Sequence, residues 1–541
     1  MSRFVDDGIA ALATLTAVGI SFTILRMLLH RKRNKTILSS PVVARSGHCW
    51  SSEPYMNRGY SCNMCEGKLT GGFECALCRL KVDEPTCLHL ASETIPCKVN
   101  AISSTSRILK HHWVFGNIEP EDLCAVCEEP CGEDLGLSDF WCAWCCRAVH
   151  TDCKRELGEE CDRGAIARSV IPPNCVALRK AGSRNQRQMV IESITIPEDV
   201  DDFRPLIIVV NPKSGSGAGT TVAKAFKSAL HPIQIVDVTK CNMKATLRWL
   251  DEFPEVKARM LIAGGDGTIS LVLDDVDQLQ NRPAVAVLPL GTGNDLSRVL
   301  GWGNESDGRI EVKEMMQLVQ CAEEQPLDRW TVSIEPMRRS LGLRQPARTL
   351  SMTNYVSIGV DACVTFGMQT TRSTLPRALS SRLLNKLLFF TYGTKDLFSR
   401  ACRGLEKRIT LELDGQVIDL PEIEGIVFLN IQCWGAGVKV WKEKENDQLP
   451  QKVDDGLFEV FAVRSSFHIA KLQVGLSNPI RIGQASKAVL TVKTGPLPMQ
   501  SDGEAWMQKR ATVTISHKGT SVLLKSIPLP TAPSTPGTES D

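Results

Sequence analysis

An excess of charge of either sign is missing from this chain of 541 residues: 63 Lys and Arg stand against 61 Asp and Glu, leaving +2. That balance excludes a generally basic nucleic-acid coat and an acidic disordered tail as the main theme. With 43% hydrophobic and 23% charged residues, the chain is able to bury real cores and is neither fibrous nor largely disordered. Calcium-binding loops and ankyrin-type repeats are absent, as are the Walker loop and the Rossmann fingerprint. Cysteine is scarce over most of the length. Only Cys175, Cys241, Cys321, Cys363, Cys402 and Cys433 serve the roughly 380 residues after Cys161, whereas fifteen of the 21 lie from Cys49 to Cys161. A secreted disulfide protein rarely leaves so large a part of itself unstapled. At about 150 residues per domain, the length points to three or four domains.

The amino terminus carries the longest uncharged run. Gly8 to Leu25 holds 18 residues without charge, preceded by Asp6 and Asp7 and followed by Arg26, Arg31, Lys32, Arg33 and Lys35. As a helix the run measures about 27 Å, close to a hydrocarbon core of about 30 Å. A secretory signal peptide has the opposite order, basic residues first and a small-residue cleavage site last. The expectation is a membrane anchor, hydrophobic over 8–29, with the basic flank and the bulk of the chain in the cytosol. A spanning helix and a re-entrant one are both consistent with its length.

The cysteine cluster resolves into two spacings. In the second, His111 is followed by Cys124, Cys127, Cys142, Cys145, His150, Cys153 and Cys161. Eight thiolate and imidazole ligands suit two tetrahedral zinc ions, and about 50 residues need such ions to fold. This spacing resembles the C1 domain, the diacylglycerol- and phorbol-ester-binding finger family. The resemblance implies interleaved ligands: His111, Cys142, Cys145 and Cys161 on one zinc, and Cys124, Cys127, His150 and Cys153 on the other. Cys131 and Cys146 fall outside the pattern. A shortened copy precedes it, with His48, Cys62, Cys65, Cys75, Cys78, Cys87 and Cys97. There Asp83 stands where the histidine is expected, with His89 as a substitute. Neither copy has the Gln-Gly pair of the family's lipid-responsive members, so a structural, autoinhibitory or membrane-orienting role is expected of them.

Beyond residue 203 the composition changes. Four short apolar runs, Leu206–Val210, Ile233–Val238, Met260–Ala263 and Ala284–Pro289, alternate with polar turns and helix-compatible stretches. Three of them end in glycine motifs: Asn211-Pro212-Lys213-Ser214-Gly215, Gly264-Gly265-Asp266-Gly267-Thr268 and Gly291-Thr292-Gly293-Asn294-Asp295. Strand, glycine turn and helix in alternation predict an open α/β sheet with its site at the carboxyl edge of the strands. Glycines there let backbone N–H groups approach a polyphosphate, while Asp266, Asn294 and Asp295 offer groups for magnesium or a hydroxyl nucleophile. Alternating strands recur at Tyr355–Val360, Ile409–Leu413, Ile426–Ile431, Leu457–Val463, Ala488–Val492 and Ala511–Ser516.

Together these motifs resemble the diacylglycerol kinase catalytic domain over about 206–525, with Asp454-Asp455-Gly456 and Asp502-Gly503-Glu504 as further matches. The resemblance implies that Asn211–Gly215 and Gly264–Thr268 cradle phosphate, with Thr239 and Thr292 beside the nucleotide. Asp502 or Glu504 would take the lipid hydroxyl proton, with Asp266 competing for that role, and Asp455 would sit in a structural metal site. Asp502-Gly503 also reads as a plain hairpin turn. The layout of one hydrophobic segment, two fingers and a kinase domain resembles the type III, epsilon class. That implies phosphorylation of 1,2-diacylglycerol by ATP with Mg²⁺ to give phosphatidic acid, attenuating diacylglycerol signalling and feeding phosphatidylinositol resynthesis. The expected partners are the lipid, ATP and a bilayer (endoplasmic reticulum or plasma membrane), without nucleic acid.

The expected architecture is therefore multidomain: an N-terminal transmembrane helix with its flank (1–38), two small zinc-bound C1-like domains (48–97 and 111–161), and a linker (162–203). An α/β nucleotide-binding lobe (204–330), a mainly β second lobe (331–527) and a disordered tail (528–541) follow.

Overall fold

A computed structural model describes residues 47–528 apart from 57–58, 84, 100–107, 120, 134–135, 183–187, 338–345, 375–401 and 441–449. The expected anchor and most of the expected tail lie outside the described residues. Among the described residues no helix is long and apolar enough to cross a membrane. The chain divides into two compact units at Cys161/Asp162.

The first unit contains two small three-stranded antiparallel sheets. One joins β1 (Trp50–Glu53), β2 (Gly72–Cys75) and β3 (Lys81–Val82), followed by helix α1 (Thr86–Thr94). The other joins β4 (Trp113–Phe115), β5 (Phe140–Cys142) and β6 (Ala148–Val149). Strands this short bury little, so neighbouring modules lean on each other. The Asn117 side chain donates to Ser61 O at 2.8 Å and accepts from Ser61 N at 2.9 Å. Arg79 pairs with Glu119 at 2.8 Å and stacks over Trp141. Fully buried Lys98 lies over Trp144, and burial lowers its ammonium to about 8.

The second unit is built on a ten-stranded sheet. Its segment 162–203, expected to be an irregular linker, is instead part of this body. It forms a hairpin, β7 (Val176–Ala181) and β8 (Gln188–Ile194), and buries Ile171, Ile191, Ile194 and Phe203 in the main core. The reason is visible in Gln234. Its amide donates to Ser169 O and Leu206 O and accepts from Ile171 N, so one buried side chain satisfies backbone on both sides of the connection. A segment whose exposed face is polar looks like a linker when only its composition is read.

The parallel half of the sheet runs β10-β9-β11-β12, where β9 is Leu206–Val210, β10 Ile235–Asp237, β11 Arg259–Gly264 and β12 Ala284–Pro289. All residues of β9, β11 and β12 are buried, as strands covered on both faces require. Helices α2 (Ala218–Ala229), α3 (Asp266–Val276) and α4 (Asp295–Val299) follow the three glycine turns, and α5 (Val312–Cys321) closes this part. The expected boundary at 330/331 falls inside a strand, β13 (Glu323–Pro336). Strands β14 (Arg348–Met352), β15 (Tyr355–Gly359), β16 (Ile409–Leu413), β17 (Gln416–Ile418) and β18 (Gly425–Leu429) come next, with α6 (Val360–Thr374) between β15 and β16. Then come β19 (Phe458–Val463), β20 (Ile480–Ala485), β21 (Lys487–Val492), β22 (Leu497–Ser501), β23 (Glu504–Gln508) and β24 (Ala511–Lys525).

Strand β24 returns to the nucleotide sheet. It meets β12 in parallel at Val285↔Leu523, and β13 and β21 antiparallel. The two lobes are thus not consecutive in sequence: β13, β14, β16, β17, β21 and β24 all extend the sheet begun by β9. A second, antiparallel sheet, β20-β19-β18-β15-β22-β23, packs against them. Between the sheets lie Trp330, Val332, Ile358, Phe428, Phe458, Val460 and Val513. At about 25 cal/mol per Å² of apolar surface removed from water, this two-layer core stabilises the unit through apolar contact.

Candidate functional site

Three turns meet at the carboxyl edge of β9, β11 and β12. Asn211, the first residue after β9, donates from Nδ2 to Thr268 Oγ1 at 3.0 Å and accepts the Lys213 N–H at 3.1 Å, tying the first turn to the second. A Cβ at Gly219 would lie 2.2 Å from Asn211 O, so only glycine lets α2 start so close to the strand. A Cβ at Gly291 would come within 2.7 Å of Gly265 Cα, so the second and third turns touch backbone to backbone. Lys213, Thr239 and Thr292 are exposed at this rim, and Thr239 is fixed by a 2.7 Å hydrogen bond from its hydroxyl to Asp237.

The acidic and amide residues differ in what they engage. Asn294 holds the third turn in shape: its Oδ1 accepts from Gly291 N at 2.9 Å and its Nδ2 donates to Gly291 O and Asn304 O. Asp295 accepts from Ala436 N and Gly437 N at 3.2 and 2.8 Å, reaching across to the loop after β18. Asp502 is the most engaged. One oxygen accepts from Asn354 N and Tyr355 N, the other from Thr353 N and Ser270 Oγ, all within 3.1 Å. It also forms, with Gly503, the two-residue turn between β22 and β23; both residues have positive φ, 47° and 86°.

Two further carboxylates lie at the second glycine turn. Asp266 begins α3, and its oxygens accept the first N–H groups of α4, Asp295 N at 3.2 Å and Leu296 N at 3.4 Å. Burial, and then the neighbouring Asp295, raise it to about 6. Glu504, exposed on β23, accepts from Gln369 Nε2 at 2.9 Å, and a Cβ at Gly267 would lie 3.6 Å from its Oε1. Glu504 therefore overhangs the second glycine turn at Gly267.

Sequence reasoning missed the floor of this cleft. Asn354 hydrogen-bonds Asp266 through its side chain, and its buried Oδ1 has no donor among the described residues. Asp361 is buried and pushed to about 6, with Ser357 Oγ donating to it at 2.5 Å. The Tyr355 hydroxyl is driven well above its usual range by burial and by Asp361, Asp295, Asp266 and Asp502. Isolated Asn, Tyr and Asp residues in a strand-helix junction carry no spacing signal. A cleft this negative, with an unpartnered amide oxygen beside Asp266, fits a hard divalent cation such as Mg²⁺. Asp455 is exposed and accepts from Leu457 N at 3.1 Å; it is in no group of three possible metal ligands among the described residues.

Four Cys/His groups in the first unit have their ligand atoms within 4.8 Å of one another: His48/Cys75/Cys78/Cys97, His111/Cys142/Cys145/Cys161, Cys124/Cys127/His150/Cys153 and Cys62/Cys65/Cys87. The Cys75–Cys97 and Cys142–Cys161 sulfurs are 3.9 and 4.0 Å apart. Two ligands at a Zn–S length of 2.3 Å stand about 3.8 Å apart at the tetrahedral angle, whereas a disulfide needs about 2.05 Å. The His48 and His150 rings donate from Nε2 to Ile95 O and Pro130 O, both at 2.9 Å, which leaves Nδ1 to face the thiols. Zinc fits these sets. A fifth group, Cys131/Asp139/His150, shares His150.

Comparison with known proteins agrees. Residues 205–322 match the diacylglycerol kinase catalytic domain, 351–505 the diacylglycerol kinase accessory domain, and 111–164 the phorbol ester/diacylglycerol-binding C1 domain. The chain is 32% identical to the Caenorhabditis elegans protein named probable diacylglycerol kinase 3, over 77% of this chain but 56% of that protein. It is 29% identical to diacylglycerol kinase 2 of Arabidopsis thaliana, over 79% and 75%. A solved diacylglycerol kinase from Bacillus anthracis str. Sterne aligns with 60% of this chain and 98% of its own at 17% identity; its TM-score of 0.36 carries no weight for function. With its C1, catalytic and accessory domains, the chain belongs to the diacylglycerol kinase family.

Proposed function

We propose that the chain is an ATP-dependent lipid kinase that transfers the γ-phosphoryl group of ATP to the free hydroxyl of 1,2-diacylglycerol, giving phosphatidic acid and ADP. The observation that carries this reading is the placement of Asp266 in the second glycine turn and of Glu504 beside its Gly267, within domains that match the kinase family. The glycine turns bind the polyphosphate through backbone N–H groups, and Asn211 and Thr268 keep two of them in register. Asp266 and Asn354 would hold Mg²⁺, which would supply charge neutralisation at the phosphoryl group. Glu504, held by Gln369, takes the proton of the attacking hydroxyl, while the new O–P bond forms and the bond to ADP breaks. Asp502, with every oxygen engaged, acts by holding the Thr353–Tyr355 turn that presents Asn354.

Zinc fills the four Cys/His groups and makes the first unit fold. The uncharged run 8–25 and its basic flank support membrane attachment of an epsilon-class enzyme, with the catalytic unit in the cytosol. Purified protein with labelled ATP and a panel of diacylglycerols, sphingosine and ceramide tests the substrate, the product being identified by mass. Phosphorylated sphingosine or ceramide in place of phosphatidic acid would sink the reading. Asp266→Asn and Glu504→Gln are each expected to lower turnover about 10²-fold or more with unchanged melting. Near-normal turnover in both would mean the site lies elsewhere. Removal of residues 1–38 is expected to release protein from salt-washed membranes, which fractionation checks.

A further inference from the structure

We propose that one zinc site of the first finger is held by three thiolates alone, those of Cys62, Cys65 and Cys87, with solvent in the fourth coordination position. The proposal rests on the zinc reading of both fingers. The second finger supplies the comparison. There His150, five residues after Cys145, brings its Nδ1 within 3.2 Å of Cys127 Sγ and closes a four-ligand set with Cys124 and Cys153. Five residues after Cys78, the corresponding position is Asp83, which is exposed; its backbone N–H donates to Cys62 Sγ at 3.4 Å. Among the described residues, the set of mutually close ligand atoms closes on the three sulfurs and leaves the Asp83 carboxylate out. His89 does not replace it: its ring is 73% exposed and lies 3.5 Å from Glu93 on the same face of α1. The other site of this finger, His48/Cys75/Cys78/Cys97, is complete and wholly buried, so it holds the finger's fold while the thiolate site stays open.

A zinc ion with three protein ligands keeps an exchangeable position, unlike the closed four-ligand structural sites. Cys65 is exposed, so water and small thiol-seeking ligands reach the metal directly. The site is chemically an open, soft coordination centre.

The test uses the full chain. About four zinc ions per chain are expected by elemental analysis, and Asp83→Asn and His89→Asn each keep all of them, whereas Cys87→Ser loses one. Transfer to a chromophoric chelator should be biphasic, one zinc leaving at least about tenfold faster than the rest. Asp83→His, which completes the set, should remove the fast phase. Loss of one zinc in Asp83→Asn or His89→Asn would overturn the proposal, as would a single slow phase or only three ions in the unaltered chain. Absence of zinc altogether would instead overturn the zinc reading of both fingers.

Discussion

The two units of this chain are held together by different forces. The first has strands of two to four residues, and its most buried side chains include Cys62, Cys75, Cys97, Cys124 and Cys142. The second buries a continuous apolar core between two sheets, with Trp330, Phe428 and Phe458 in edge-to-face contact. Ligand bonds are few, strong and set by spacing; apolar contacts are many, weak and set by pairing of distant strands. The difference teaches where each unit is vulnerable and also what its sequence reveals.

Metal removal is the largest expected break in that comparison. A structural zinc is worth about 10–16 kcal/mol to a small finger, so chelation should unfold the first unit and leave the second folded. Calorimetry with and without chelator checks this; one shared transition, lost together, would refute the separation. Next in size, Trp330→Ala in the sheet core should cost about 3–5 kcal/mol and leave zinc content unchanged. Denaturant titration of the second unit reads the loss directly. A smaller change, Asp502→Asn, puts an amide against Thr353 N and Ser270 Oγ and should cost about 1–3 kcal/mol. It should show as lowered melting, in contrast to Glu504→Gln, which should act on turnover alone; the reverse pattern would exchange their roles.

Smallest per step, though spread over several pH units, is a dependence on pH. Buried Glu459 accepts from Gln451 and Gln484, and burial raises it to about 8. Its folded pKa lies above its unfolded one, so between these values the native state binds the extra proton. Stability is therefore full below the unfolded value and falls as pH rises towards 8, by up to about 1.4 kcal/mol per pH unit. Glu459→Gln should flatten that slope in melting curves from pH 5 to 8. A slope unchanged by the substitution would remove Glu459 as its source.

The same contrast governs what was legible in the sequence. Cysteine spacing pointed to two zinc ions, and its resemblance to the C1 family anticipated the grouping His111/Cys142/Cys145/Cys161. Strands β9 and β12 were legible to the residue, since a short apolar run ended by a turn leaves little choice, and β16 by its alternation of apolar and polar residues. The hairpin of β7 and β8 was not: exposed positions are interspersed along both strands, and their apolar residues are spread among polar ones. Nor was the sheet partner of β24, because which strand closes an edge depends on contacts far away along the chain. In the cleft, Asp266 announced itself by its glycines. Asn354 and Asp361 did not, since their burial is a property of the assembled lobes. The backbone N–H groups from which Asp502 and Asp295 accept were likewise not legible, since these donors lie far away along the chain.

The return of β24 has a consequence during synthesis. About 220 residues separate the end of β12 at Pro289 from the start of β24 at Ala511. Through that whole stretch of translation the apolar edge of β12 waits without its neighbour, and an open parallel edge is a template for wrong pairing. The nucleotide-binding half emerges early yet is finished late, so its nascent form should depend on holding chaperones far more than the fingers do. Losing the last strand would leave an orphaned edge beside the glycine turns rather than merely a shorter accessory lobe.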